Sequence, residues 1–526
     1  MLKHRQQRDH SHLIKHKNEE SVSIMNHLQN YFKLMIWMIC LPFSINMFRA
    51  EAYLSIVDVF PQQNQSHTHG SNIQFFAPSE DKNGILFVTW FQGDGEEKGN
   101  NVQIFGSMQT PGSNSWSQPQ PLTAKNIGYP DNNPALYVRE DSEGNNVFYL
   151  FWGKIYEHVW QGTQVRQNTA IFNWPITSFQ DFEWTDPTLQ GISIETTFSP
   201  NYASESYNLL QNTWPLKNGH FNPSAFPSIK IINKKDVPLM YQDLHHLLFQ
   251  YSPHSLDAPI PTTSLHLDTK CNANLFYKLI TLLYHLHDSH IYEEINQTLL
   301  NPTSIFCDKI WQTRCNPIII NYQCKSRMIL PLYSDHFGFS LIFYSDDYGN
   351  TWKQSTTPIM GRKVVQPSIV QLQDGSLMAL MRNNGWCINL NKMLISFSKD
   401  GGNTWSPTIP HKKLPNYSSS LSIIKLQYGK HRGLLALAYN NNLLRSNLTL
   451  ALSEDNGNTW KQKVLEQSKG IETFEYPSIT QATNGKIYIS FTHKRGAGTC
   501  SSFFHAPFPC QNIGVVCVDP SDVLVN

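Results

Sequence analysis

The chain has 526 residues, 40% of them hydrophobic and 12% aromatic, enough to bury a large core in one domain. Its formal net charge of +1, with no Lys/Arg stripe after the N-terminal stretch, argues against a nucleic-acid footprint. Nine cysteines without a single CxxC pair give no support to a zinc site.

The first segment, 1–52, reads as an extension with an export signal. Leu34 to Phe48 run without a charge, and Ala50-Glu51-Ala52 follows as a small-residue cleavage pattern. The run is shorter than the roughly 18 residues expected of a spanning helix. Met25 is then the natural start, and a mature chain begins near Tyr53. Arg49 leaves an uncleaved membrane anchor as the alternative. In an exported chain the remaining eight cysteines suit disulfides, and Cys500 and Cys510 could close one loop.

From Tyr53 the texture is short β-rich runs broken by turn signals: Gly84 to Phe91, Val102 to Ser107, Asn146 to Trp152, Met328 to Tyr333, Phe339 to Tyr344, Leu377 to Met381 and Lys486 to Phe491. Trp-bearing turns stand at Trp116 and Trp184. The next comparable Trp is Trp352, and the stretch 190–308 between them does not read as strands. That stretch is expected to be an insertion, helical in part because Ala273 to Leu300 has helix-like apolar spacing. Its histidines, His245, His246, His285, His287 and His290 among them, lack a pattern such as HExxH, so no metal is expected.

The strongest signal follows. Ser345 to Trp352, Ser398 to Trp405 and Ser453 to Trp460 are three copies of the pattern Ser-x-Asp-x-Gly-x-Thr-Trp, with tryptophans about 50 residues apart, the length of one four-stranded propeller blade. In each copy Ser and Asp can accept hydrogen bonds from turn amides, and Gly supplies a positive φ. These aspartates therefore read as structural. With the turns at Trp116 and Trp184 they make five hairpins. A sixth sheet is expected from Pro477 to Phe491, Ile513 to Val518 and a strand near Tyr53. The expected fold is all-β: a six-bladed propeller of residues 53–189 and 309–526, interrupted by the partly helical insertion.

Several segments carry a family resemblance: Trp90 to Glu97, Pro130 to Pro134, Leu330 to Asp335, Gln366-Pro367-Ser368, Met381 to Gly385 and Glu475 to Ser478. With the three Asp-boxes, they resemble bacterial sialidase-like proteins with BNR/Asp-box repeats. The resemblance implies an arginine cluster for a substrate carboxylate, and Arg314, Arg382 and Arg495 are its candidates. It implies a tyrosine nucleophile, Tyr476, because an anionic nucleophile would be repelled by an anionic substrate. The partner carboxylate is expected where Gln366 stands, and Glu475 should point to the opposite face of its strand. The general acid is sought among Asp94, Glu96 and Glu97, with Asp94 or Glu97 preferred. His69 stands where such enzymes carry a carboxylate-binding arginine.

These residues imply an exported exo-sialidase-type glycoside hydrolase acting on terminal acidic sugars, without cofactor or metal. The expected partner is a glycan or glycoconjugate, with no nucleic acid, a monomeric state, and a membrane only if the N-terminal segment is uncleaved. A uronate-directed lyase or hydrolase using His69 or Tyr476, and a non-catalytic glycan-binding propeller, are the alternatives that Gln366 leaves open.

Overall fold

The computed structural model of the chain describes residues 56–60, 67–79, 83–113, 115–156, 158–194, 311–335, 339–359, 364–384, 391–406, 408–468, 472–495 and 510–525, and short ladders at 197–198 with 305–306 and 216–217 with 220–221. The N-terminal segment, Cys500, and nearly all of 195–310 with its histidines and its helix-like run lie outside the described residues. Among the described residues no helix is long and apolar enough to cross a membrane.

Six antiparallel sheets form the blades of a propeller. Blade 1 runs outward through His67–Phe76, Ile85–Gly93, Gln103–Gln109 and Gln120–Pro121. Blade 2 uses Asp131–Glu140, Asn146–Ile155 and Thr163–Phe172, edged by Glu183–Trp184 and Ile192–Ser193. Blade 3 comprises Ile318–Tyr322, Lys325–Ser334, Phe339–Ser345 and Lys353–Gln354. Blade 4 comprises Val364–Gln371, Leu377–Asn383, Lys392–Ser398 and Ile409–Pro415. Blade 5 comprises Leu421–Lys425, Leu435–Asn440, Asn447–Ser453 and Lys461–Gln467. Blade 6 is built from both halves of the chain. Thr473–Gln481, Ile487–Arg495 and Cys510–Val518 are finished by Val57–Asp58, paired Val57 to Val515 and Asp58 to Gly514. This pairing closes the ring by giving blade 6 its outermost strand from the N-terminal part of the chain.

Each Asp-box joins the third and fourth strands of its blade through one repeated network. In blade 4, Ser398 Oγ donates to Asp400 Oδ1 (2.9 Å), and Asp400 Oδ1 accepts from Thr404 N (2.8 Å) while Gly402 N donates to Ser398 Oγ (2.9 Å). The same contacts recur from Ser345 to Thr351 and from Ser453 to Thr459. Gly349, Gly402 and Gly457 have φ near +90°, a backbone state that a Cβ disfavours. The following Trp seals the joint with the preceding blade. Trp405 is fully buried beside Ile329 and Ile342 of blade 3, and Trp352 meets Phe151 of blade 2 edge-on at 5.7 Å. The boxes lie at the far end of the propeller from the starts of the inner strands.

Those starts share an irregularity that builds the opposite face. Register shifts fall between His69 and Asn72, Asn132 and Ala135, Val365 and Ser368, and Glu475 and Ser478. At them Gly70, Asn133, Gln366 and Tyr476 take φ values of +66°, +49°, +54° and +54°. A β-bulge re-aims side chains, and a non-glycine residue held at positive φ costs about 1–3 kcal/mol, which makes a recurrent set of them a marker of function.

Candidate active site at the bulged ends of the inner strands

Blades 4 and 6 meet at Arg382. Its strand ends blade 4's second position, and the guanidinium reaches across the mouth of the axis. Nη1 donates to Gln366 Oε1 (3.3 Å) and to the Tyr476 phenol oxygen (3.4 Å). Nη2 donates to Asn384 Oδ1 (3.2 Å) and Ser418 Oγ (3.1 Å). All four acceptors are neutral, and the buried Nε has no hydrogen-bond partner. A guanidinium so placed is ready for an anion, because a half-buried cation without a counter-charge is costly.

Tyr476 sits among cations. Besides Arg382, the Arg314 guanidinium carbon lies 5.0 Å from its ring centroid and that of Arg445 lies 5.9 Å away. Arg445, at φ +56° in the loop after blade 5's second strand, donates from Nη2 to the Ser418 carbonyl (2.8 Å). Arg382 and Arg445 thus share Ser418. No motif marks Arg445, and the loop conformation that aims it is invisible to spacing.

Gln366 joins Arg382 to a second polar chain. Its Nε2 donates to the Tyr333 hydroxyl (3.3 Å), which donates to Gln312 Oε1 (2.8 Å); Asn133 Nδ2 donates to both of those oxygens (3.3 Å each). Asn133 and Tyr333 were not among the predicted site residues. The signal for Asn133 was present: Asn133-Pro134-Ala135, Gln366-Pro367-Ser368 and Tyr476-Pro477-Ser478 repeat one pattern at the same place in three blades.

On the other side of Tyr476, His69 is buried and its ring meets the tyrosine ring edge-on, centroids 4.3 Å apart. Burial, reinforced by the positive charge of Lys494, holds its pKa well below 6.5, so the imidazole is neutral at ordinary pH. Glu475 is buried as well. Lys494 Nζ stands 2.8 Å, Arg445 Nη1 3.5 Å and His69 Nε2 3.8 Å from its Oε2. Burial alone would raise the Glu475 pKa, but Lys494 and Arg445 outweigh it and keep the carboxylate ionised. The expectation that Glu475 points away from the site fails because the bulge at Tyr476 breaks the two-residue alternation.

Three other expectations are corrected. Arg314 does not face the mouth: it is 1% exposed, and its Nε, Nη1 and Nη2 donate to Ser420 Oγ, the Ser71 carbonyl and the Pro477 carbonyl (3.0, 3.2 and 3.3 Å). It ties blades 5, 1 and 6 together at the axis. Arg495 also leaves the site, pairing with Asp58 (3.0 Å) on the strand that closes blade 6, while its neighbour Lys494 turns inward. Asp94 caps its own loop, accepting from Asn100 N and Asn101 N at 2.8 Å each. Its partial burial is outweighed by those backbone hydrogen bonds, so its pKa is lowered and it is not set to donate a proton. Glu97 is half-buried nearby, with its carbonyl 3.3 Å from His158 Nδ1. Glu96, rather than Asp94, turns toward the histidines: its Oε1 lies 2.8 Å from His67 Nε2, a contact that overcomes burial and takes its pKa to about 2.

A family model described as a BNR repeat-like domain matches residues 302–489. An anhydrosialidase of Macrobdella decora is 27% identical over 179 residues, which is 31% of this chain and 23% of that protein. A sialidase of Micromonospora viridifaciens is 26% identical over 174 residues, 30% of this chain and 26% of the relative. The match thus spans about a quarter of the length of either relative. Among solved structures, Trypanosoma rangeli sialidase in complex with 2,3-difluorosialic acid, a covalent intermediate, superposes with a TM-score of 0.51 at 12% identity, covering 90% of this chain and 59% of that one, a likeness of fold. Taken with the six blades and their Asp-boxes, these matches support a likeness of the chain to the sialidase-like BNR-repeat superfamily.

Proposed function

We propose that this protein is an exo-acting glycoside hydrolase of the sialidase type, cleaving terminal acidic sugars from glycans or glycoconjugates. The observation that carries the reading is the contact of Arg382 with the Tyr476 phenol oxygen, by a guanidinium whose acceptors are all neutral. A sugar carboxylate placed against Arg382 and Arg445 sets the anomeric carbon beside Tyr476. The neutral phenol then attacks without the repulsion an anionic nucleophile would meet. Arg382 Nη1 is already aimed at the oxygen that becomes a leaving group when water later releases the sugar. Of the three acidic candidates in the loop after blade 1's second strand, we assign the half-buried Glu97 to protonate the departing oxygen.

The chain is further read as exported, on the strength of Leu34 to Phe48 and Ala50-Glu51-Ala52.

A second reading has its own observation. Gln366 offers an amide, hydrogen-bonded between Arg382 and Tyr333, where hydrolysis of the sialidase type calls for a carboxylate. Amide and guanidinium together can neutralise a uronate carboxylate while a base removes the adjacent proton. Purified protein is therefore assayed on a fluorogenic sialoside and on acidic polysaccharides, following unsaturated-uronate absorbance. Release of the fluorophore supports hydrolysis. Absorbance without it supports elimination, and neither, with glycan binding retained, leaves a lectin-like propeller.

A further inference from the structure

We propose that His69 is the proton acceptor for Tyr476 and that Glu475 positions it, so that this pair replaces the carboxylate Gln366 cannot supply. The inference rests on the reading of Tyr476 as nucleophile.

The bulge brings three groups together that a regular strand would separate. His69 Nε2 faces Glu475 Oε2 at 3.8 Å, and the same imidazole lies edge-on to the Tyr476 ring. His69 Nδ1 is buried and has no hydrogen-bond partner. A neutral imidazole carries one proton, and the facing carboxylate favours it on Nε2, which leaves the lone pair on Nδ1. A buried nitrogen left unpaired costs stability, so its presence beside a candidate nucleophile is informative. The charged and titratable groups around the ring are Lys494, Glu96, His67 and Arg445 as well as Glu475. Burial first, then Lys494, His67 and Arg445, keep the ring uncharged at rest while Glu96 pulls the other way; the Nδ1 lone pair is therefore unoccupied until the phenol gives up its proton.

Glu475 is not itself the base. Lys494 and Arg445 balance its charge, and Thr473 Oγ1 donates to its Oε1 at 3.2 Å. Held from three sides, it fixes the tautomer of His69, as second partners of reactive histidines do. In the forward step the Tyr476 oxygen bonds to the anomeric carbon, the glycosidic C–O bond breaks, and the phenol proton passes to His69 Nδ1. The departing oxygen takes its proton from the acid at the rim. In the second step water attacks the same carbon, its hydroxyl stays on the sugar, and the phenolate recovers the proton stored on His69; the water's other proton restores the rim acid.

The test uses the full chain. In protein labelled with ¹⁵N-histidine, His69 should show the Nε2–H tautomer at neutral pH; the Nδ1–H tautomer overturns the proposal whatever the activity. His69→Ala should lose about 10²- to 10⁴-fold in kcat with KM little changed, and added imidazole should restore part of it. Glu475→Gln should lose about 10- to 100-fold. Full turnover in His69→Ala beside an inactive Tyr476→Phe overturns this inference alone. Full turnover in Tyr476→Phe overturns the nucleophile reading and the inference with it.

Discussion

Arg382 Nη1 stands 3.4 Å from the phenol oxygen of Tyr476 across 94 residues of sequence, one residue from the end of a blade 4 strand and the other on a blade 6 bulge. The convergence of blades 4 and 6 on the axis brings them together. The contact makes a direct prediction: Arg382→Ala should lower kcat/KM on an acidic glycoside by about 2–5 kcal/mol, since the bound carboxylate is left without its partner. Arg382→Lys should recover little, because an ammonium cannot copy the planar fork. Thermal melts of both should stay near wild type, as every Arg382 acceptor is a neutral side chain at the half-open mouth.

Arg314 should behave in the opposite way. Its three nitrogens hold blades 5, 1 and 6, and the Ser71 and Pro477 carbonyls lose their donor when it is removed. Arg314→Met should cost about 1–3 kcal/mol for each carbonyl left unsatisfied. A denaturant titration checks this; a variant as stable as wild type but unable to bind substrate would return Arg314 to the binding site.

The Asp-boxes and the blade count were legible because turn chemistry is local: a Ser, an Asp, a Gly and a Trp at fixed offsets specify one hairpin. His69, Gln366 and Tyr476 were legible through motifs that mark the bulged ends of inner strands. Glu475 was misjudged because strand alternation holds only until a bulge, and neither Arg445 nor the inward turn of Lys494 has a local signature. Arg314 was misread for a similar reason. An arginine near an inner strand can aim at the mouth or into the axis, and the carbonyls that decide it lie in other blades.

Acid should weaken the fold through buried histidines. His411 Nδ1 accepts from Leu414 N (3.0 Å) and Lys413 N (3.2 Å), and burial lowers its pKa to about 4. The native state therefore refuses a proton that the unfolded chain binds below its ordinary 6.5. Stability should fall as pH drops from 6.5 toward 4, by about 3 kcal/mol from this residue alone, and level off below. Urea unfolding across that range should show a shallower slope in His411→Asn.

Export gives a separate prediction. Protein recovered outside the cytoplasm should begin at or near Tyr53 by N-terminal sequencing. Recovery solely as an uncleaved membrane-bound form would establish the anchor instead.

The role of Tyr476 is tested most directly by trapping. Incubation with a 2,3-difluoro derivative of the acidic sugar that the protein cleaves, followed by peptide mass spectrometry, should find one glycosyl adduct on the peptide bearing Tyr476, absent in Tyr476→Phe. Turnover of that sugar with no adduct, or with the adduct on another residue, would contradict the account.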